Sequence, residues 1–198
     1  MSKHLLPLIL VLTAAAAIAL AVSAGSSRPG SAGAPESASA STDPAARGSY
    51  LVHAMGCADC HTPWKMGANG PEQDMSRWLS GHQEEHVFPP APKLPEGPWV
   101  ATVSGTMTAW SGPWGTSFTA NLTPDVETGL GAWTFEQFRD AIRSGRHQGR
   151  GRPILPPMPW FAIKNLTDED LGNVFAYLQS LPPIRNRVPE PVPPAESH

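Results

Sequence analysis

The stretch Cys57-Ala58-Asp59-Cys60-His61 decides how this chain of 198 residues is interpreted. It contains both cysteines of the chain, three positions apart, and a histidine directly after the second one. Cys-x-x-Cys-His is the attachment signature of c-type haem. On a helical turn this spacing brings both thiols to one porphyrin edge and carries His61 under the iron as proximal axial ligand. We expect a backbone carbonyl, with that of Pro71 as a candidate, to accept the other ring N–H of His61.

Three other interpretations of the two cysteines stay open. A redox pair of the thioredoxin type belongs in a strand–helix α/β setting, which the surrounding sequence does not predict. A disulfide between Cys57 and Cys60 is compatible with an oxidising compartment, and a zinc site requires further ligands at suitable spacing. Three features favour haem: the apolar start of the chain, which indicates export, the histidine after the second cysteine, and the aromatic-rich segment that follows.

The sixth position of a haem iron is open or takes a second ligand, and Met158 is the candidate. It lies in 154–160 (ILPPMPW), where prolines on both sides stiffen the loop. A thioether raises the reduction potential relative to a second histidine. We interpret four other methionines as core residues and three competing histidines as solvated loop residues. They are Met55, Met66, Met75 and Met107, and His82, His86 and His147.

Capping residues and apolar spacing predict three helices. They run from N-cap Asp43 to about Met55, from N-cap Thr134 to Gly145, and from N-cap Thr167 to Pro182-Pro183. Between the first and second helices, residues 63–133 are rich in Gly, Pro and Trp and show no alternation of apolar and polar residues. We therefore predict a long loop there that wraps the haem.

Amino-acid composition divides the chain into four segments. Residues 1–24 are apolar after a short polar start and indicate a signal peptide or an N-terminal membrane anchor. Residues 25–42 are predicted to be a flexible linker, 43–183 the folded domain, and 184–198 an extended Pro-rich tail without a role in the core. The net charge of −3 argues against binding of nucleic acid.

Four further motifs, taken with the haem signature, resemble the class I c-type cytochromes. More specifically, they resemble the haem domains of bacterial cytochrome c subunits that serve membrane-bound alcohol, aldehyde and sugar-acid dehydrogenases. The motifs are 47–51 (RGSYL), 121–133 (NLTPDVETGLGAW), 157–160 (PMPW) and 176–183 (AYLQSLPP). The resemblance covers about residues 44–183. It implies a mainly α cytochrome c fold, with three or more helices around one covalent haem and long Gly-, Pro- and Trp-rich loops.

The same resemblance implies specific positions for several residues. The first and last helices are expected to cross, with Gly48 near Phe175 or Tyr177. Axial ligation of the iron falls to His61 and Met158. Asn121 and Trp133 are the positions expected near the haem propionates.

These observations predict a monohaem c-type cytochrome that carries single electrons and is not an enzyme. Its expected partners are a dehydrogenase as donor and an oxidase or another cytochrome as acceptor. Its expected place is the periplasmic side of the bacterial inner membrane, either anchored or soluble after signal cleavage. The alternative is a peroxidase-like c-haem enzyme or sensor in which Met158 readily leaves the iron.

A local cluster of arginines surrounds the end of the second predicted helix. It consists of Arg139, Arg143, Arg146, Arg150 and Arg152. Such a cluster is either a solvated helix face or a docking patch that accelerates association with an acidic redox partner.

Overall fold

The computed structural model describes residues 43–194. In this part of the chain the elements are α1 (Pro44–Ala54), α2 (Cys57–His61), β1 (Trp64–Gly67), β2 (Gly70–Gln73), β3 (Thr102–Val103), β4 (Ala109–Gly112), β5 (Gly115–Phe118), α3 (Phe135–Ser144), α4 (Trp160–Ile163) and α5 (Asp168–Ser180). The described helices include none that is long and apolar enough to span a bilayer. The predicted signal or anchor at 1–24 and the linker at 25–42 lie outside the described residues.

The three predicted helices are confirmed as α1, α3 and α5, together with their caps. The Asp43 side chain accepts a hydrogen bond from the N–H of Ala45 at the start of α1. Thr134 and Gln137 form a reciprocal capping box at the start of α3, which ends at Gly145 in the left-handed conformation. The Thr167 side chain caps α5. Local sequence signals therefore place each of these helices correctly.

Helices α1 and α5 pack closely where α1 carries Gly48. A methyl group at this position would lie 1.9 Å from the carbonyl oxygen of Asn173 and 2.8 Å from Cβ of Tyr177. The expected contact with Tyr177 is thus confirmed. The ring of Phe175 instead packs on Phe138 of α3, with ring centroids 5.3 Å apart. Only a residue without a side chain allows α1 and α5 to approach this closely.

The apolar core lies between α1, α3 and α5. Its fully or nearly fully buried residues are Leu51, Val52, Ala58, Leu79, Leu130, Phe138, Ile142, Leu171, Val174 and Leu178. Burying one such large side chain contributes roughly 1.5–3 kcal/mol relative to leaving it exposed. The core residues of α5 recur at helical spacing, which is the pattern that predicted this helix.

Two small antiparallel sheets occupy the region that we predicted to be a loop, so that prediction is wrong for 64–73 and 102–118. β1 pairs with β2 in a hairpin, and β4 is the central strand between β3 and β5. No strand in either sheet is longer than four residues. Strands this short carry too few positions for an alternating pattern to be recognised.

The position of the Pro-rich tail also differs from the predicted one. Asn186 is fully buried, and Val192 forms an antiparallel bridge with Thr116 of β5. The tail therefore runs back over the domain and fastens to its loops and strands. The expectation that 184–198 has no core role is wrong for the described residues 184–194, because composition does not reveal hydrogen bonds to distant segments.

Candidate haem-binding site

The Cys-x-x-Cys-His motif forms the short helix α2. Gly56, in the left-handed conformation with φ 66°, separates it from α1. Cys57 and Cys60 occupy the first and fourth positions of α2, and each carries a free, half-buried thiol. Residues at this spacing share one helix face. The helical turn predicted for the motif is therefore present.

Both thiols are held in the protonated form. Burial, together with the nearby Asp59 and Cys60, raises the pKa of the Cys57 thiol to about 11, although a backbone hydrogen bond acts in the opposite direction. Burial also raises the pKa of Cys60. Redox-active and nucleophilic cysteines have lowered pKa values instead, because the thiolate is the reactive form. The electrostatics of the pair therefore argue against a thioredoxin-type site.

His61 is buried, and its ring is oriented by one hydrogen bond. The Nδ1 atom lies 2.8 Å from the carbonyl oxygen of Ala120. The acceptor is thus Ala120 and not Pro71, because residues after β5 return to the end of α2. A carbonyl can only accept, so Nδ1 carries the proton and Nε2 carries the lone pair. Burial lowers the pKa of His61, although the Ala120 carbonyl acts in the opposite direction.

Within residues 43–194, Nε2 of His61 has no hydrogen-bond partner. A neutral imidazole whose Nδ1–H is fixed by a carbonyl presents Nε2 as a metal ligand. Two protonated thiols lie on the same short helix. The chemistry and arrangement of these groups fit a c-type haem.

Met158 lies in a loop that is fastened at two points. The N–H of Ile154 donates to the carbonyl of Gly145 at 2.8 Å, and the hydroxyl of Ser117 donates to the carbonyl of Pro156 at 2.5 Å. The Met158 side chain is half-buried and packs against the apolar core. Cys57 and Trp133 pack against the same cluster. Three of the predicted site residues thus pack against the same apolar core.

Asn121 lies in a polar network rather than in that cluster. Its Oδ1 accepts from the N–H and the hydroxyl of Thr123, at 3.0 and 2.8 Å. Its Nδ2 donates to the carbonyl of Ile184 at 2.8 Å and to the hydroxyl of Thr128 at 3.3 Å. These bonds connect Asn121 to the tail. Its place near the haem propionates stays a prediction.

Trp133 is half-buried at the end of the loop before α3. Its ring meets that of His147 edge to face, with centroids 5.0 Å apart. His147 and His86 are exposed, as predicted for solvated histidines. The place of Trp133 near the propionates also stays a prediction.

His82 differs from the prediction of a solvated loop residue. It is fully buried, and its ring nitrogens lie 2.9 Å from the hydroxyl of Thr108 and 3.1 Å from the carbonyl of His86. Its ring also packs on that of Phe118, with centroids 4.7 Å apart. His82 therefore joins the segment after α2 to the second sheet. No local signal in the sequence marks this role.

The interpretation of the other methionines as core residues holds only in part. Met55 packs against the apolar core. Met66 and Met75, in contrast, are 77% and 63% exposed. They lie on the β1–β2 hairpin and on the turn after it, which project into solvent, and Met107 is half-buried.

Acidic side chains compensate part of the arginine cluster. Arg139 pairs with Asp140 at 2.9 Å, Arg143 with Asp168 at 2.5 Å, and Arg152 with Glu190 at 3.3 Å. The Arg146 guanidinium donates to the carbonyl of Gly151. The basic character of this surface is therefore weaker than the sequence suggests.

The fold and the site define the class of protein. The cytochrome c family model matches residues 45–182, so the chain belongs to the cytochrome c family. This membership implies a covalently bound haem c and an electron-transfer role.

Three similar proteins are components of bacterial dehydrogenases. The chain is 40% identical over 77 residues to one of the subunits of nicotinate dehydrogenase from Pseudomonas putida, covering 39% of this chain and 6% of that protein. It is 31% identical over 146 residues to the fructose dehydrogenase cytochrome subunit of Gluconobacter japonicus, covering 74% and 23%. It is 37% identical over 65 residues to the cytochrome c subunit of the quinone alcohol dehydrogenase of Gluconacetobacter polyoxogenes, covering 33% and 14%. The expected resemblance to dehydrogenase cytochrome c subunits is confirmed, and the chain spans less than a quarter of each of these relatives.

Proposed function

We propose that this protein is a monohaem c-type cytochrome that carries single electrons for a dehydrogenase and is not itself an enzyme. The observation that carries the proposal is the orientation of His61. Its Nδ1–H donates to the Ala120 carbonyl at 2.8 Å, which leaves Nε2 to bind iron. The Cys-x-x-Cys-His signature occurs once in the chain, which supports one haem per chain.

In this proposal Cys57 and Cys60 attach the haem. Their two thiols, on one face of α2, would hold the haem covalently through its two vinyl groups. The bound haem c supplies a one-electron couple between ferric and ferrous iron. The buried position of His61 and the half-buried position of Met158 would limit the access of water to an iron held between them.

Met158 is the proposed second axial ligand. The prolines on both sides of it and the two hydrogen bonds that fasten its loop restrict its movement. A restricted ligand favours electron transfer, since the coordination changes little between the two oxidation states. Asn121 and Trp133 are proposed to lie on the propionate side, Asn121 through its place next to Ala120 and Trp133 through its packing on the core.

The proposed partners are a dehydrogenase as electron donor and an oxidase or another cytochrome as acceptor. The names of the relatives support a dehydrogenase. We place the protein on the periplasmic side of the inner membrane, anchored through 1–24 or soluble after cleavage. If 1–24 is an anchor, the linker at 25–42 raises the effective concentration of the haem domain beside a membrane-bound partner.

The test is an absorption spectrum of protein matured in a bacterial periplasm, oxidised and reduced, with a haem-to-protein ratio. We expect one haem per chain, a c-type reduced spectrum, a weak sulfur-to-iron band in the oxidised form and no reaction with carbon monoxide. Met158→Ala should bind carbon monoxide, and the exposed control Met75→Ala should not. Rapid binding of carbon monoxide by the unaltered protein would favour the enzyme or sensor alternative, and absence of haem would refute both.

A further inference from the structure

We infer that Asn186, in the Pro-rich tail, is a positioning residue for His61 and thereby sets the reduction potential of the haem iron. The inference rests on the proposed function, because it assumes that His61 binds the iron. Asn186 acts through two chain segments that hold His61, described below.

His61 is held by two backbone groups from different segments. Its ring Nδ1–H donates to the carbonyl of Ala120, and its own carbonyl accepts from the N–H of Gly81, both at 2.8 Å. The first segment, 79–82, follows the β1–β2 hairpin, and the second, 119–122, follows β5. The orientation of the His61 ring therefore depends on how these two segments are placed.

The two segments are paired with each other. The N–H of His82 donates to the carbonyl of Thr119, and the N–H of Leu122 donates to that of Leu79, both at 2.9 Å. Gly81, with φ 78°, lies so close to the opposite segment that a methyl group there would be 2.5 Å from the carbonyl carbon of Ala120. We call this pair of segments the proximal clamp.

Asn186 binds the proximal clamp from outside. Its Nδ2 donates to the carbonyls of Ser80 and His82, at 2.7 and 2.8 Å, and these two residues flank Gly81. Its Oδ1 accepts from the N–H of Glu84 at 2.9 Å. The side chain is fully buried and uses both of its donor hydrogens. One amide thus fixes two carbonyls of the clamp and the N–H of Glu84, two residues beyond it.

The tail also binds the other side of the clamp. The carbonyl of Ile184 accepts from Nδ2 of Asn121, which belongs to the second segment. Further along, Val192 and Thr116 exchange two backbone hydrogen bonds, at 2.8 and 2.9 Å. The tail therefore spans both segments and is fastened to β5, three residues before Thr119.

The direction of the effect follows from the hydrogen bond to His61. A carbonyl that accepts the Nδ1–H raises the basicity of the imidazole, which favours ferric iron and lowers the reduction potential. Loss of Asn186 would leave the carbonyls of Ser80 and His82 and the N–H of Glu84 without this partner. The clamp would then open more often, the bond from Nδ1 to Ala120 would weaken, and the potential would rise.

The test compares Asn186→Ala with Asn165→Ala in the haem-loaded protein. Asn165 is a matched control because its Nδ2 also donates to two backbone carbonyls, those of Phe161 and Ala162, but at an exposed site. We expect a more positive reduction potential for Asn186→Ala only. We also expect its His61 Nδ1 proton, observed by NMR, to exchange with solvent about tenfold faster or more, since the net loss of even one of the three buried hydrogen bonds of Asn186 is worth about that factor.

A lower melting temperature without either change would show that Asn186 is merely structural and would overturn the inference. Should Asn186→Ala not fold, Val192→Pro removes one hydrogen bond at the far end of the tail. This variant should also raise the reduction potential and the exchange rate of the His61 Nδ1 proton, by smaller amounts than Asn186→Ala. Unchanged values would again contradict the inference. Absence of haem from the unaltered protein would instead refute the proposed function.

Discussion

The helical region and the region around the proximal clamp are held together by different interactions. In α1, α3 and α5 the buried side chains are apolar and lie at helical spacing. Around the clamp, Leu79 belongs to that apolar core, but most of the buried side chains are polar: Ser80, His82, Thr108, Asn121, Thr123 and Asn186. Apolar packing tolerates small shifts in position, whereas a buried hydrogen bond requires a defined partner at a defined distance. His61, the proposed axial ligand, is hydrogen-bonded to both segments of the clamp and lies in α2, next to the apolar core.

The strongest test of the helical region is Gly48→Ala. The new methyl group would overlap the carbonyl of Asn173 and force α1 and α5 apart. We expect a loss of about 3 kcal/mol or more in the free energy of unfolding, measured by urea denaturation.

The matched control is Gly172→Ala in α5, where a methyl group would lie 3.8 Å from the ring of Phe135. Alanine favours the helix there, so we expect stabilisation of about 0.5–1 kcal/mol. Equal effects of the two substitutions would show that close packing at Gly48 is not what limits the approach of the helices.

The next largest effect is expected in the polar region, on substitution of the fully buried Thr123. Its hydroxyl donates to Oδ1 of Asn121 at 2.8 Å and accepts from the N–H of Ile184 at 3.1 Å. Thr123→Val preserves the volume but removes these bonds, so we expect a loss of about 1–3 kcal/mol in urea denaturation. Thr123→Ser retains the hydroxyl and should cost less. A larger loss for the serine variant would mean that packing, and not hydrogen bonding, holds this region.

The pH dependence of stability gives a third test. Burial lowers the pKa of His82 below the value of about 6.5 that it has in the unfolded chain. The unfolded state therefore takes up more protons as the pH falls, and the free energy of unfolding should decrease from about pH 6.5 downwards. His82→Phe should be less stable at neutral pH but should show a shallower decrease in urea titrations. An unchanged slope would assign the effect to His61, whose pKa burial also lowers, or to His147, whose pKa partial desolvation and the nearby Arg152 lower.

The smallest effect is expected at the ion pair between Arg143 of α3 and Asp168 of α5. The two side chains are 34% and 60% exposed, so solvent screens their attraction. Asp168→Asn should reduce the free energy of unfolding by less than about 1 kcal/mol, and added salt should diminish the difference. A larger loss that resists salt would show that ion pairs add substantially to the apolar packing between α3 and α5.

Sequence reasoning succeeded where the deciding signals are local. The caps at Asp43, Thr134 and Thr167, the apolar spacing and the haem signature each lie within one element. It failed where a group finds its partner far along the chain. Ala120, which accepts the hydrogen bond of His61, lies 59 positions away from it. Nothing in the composition of the Pro-rich tail distinguishes Asn186 from a solvated asparagine.

The hydrogen bonds of Asn186 also impose an order of events on a newly made chain. They join residues that are 104 and 106 positions apart, so they cannot form before residue 186 has been synthesised. Until then Cys57, Cys60 and His61 belong to a chain whose proximal clamp lacks its last fastening. Closure of the tail is therefore a late step relative to synthesis of the Cys57–His61 segment, and the two segments that hold His61 acquire their full set of hydrogen bonds only then.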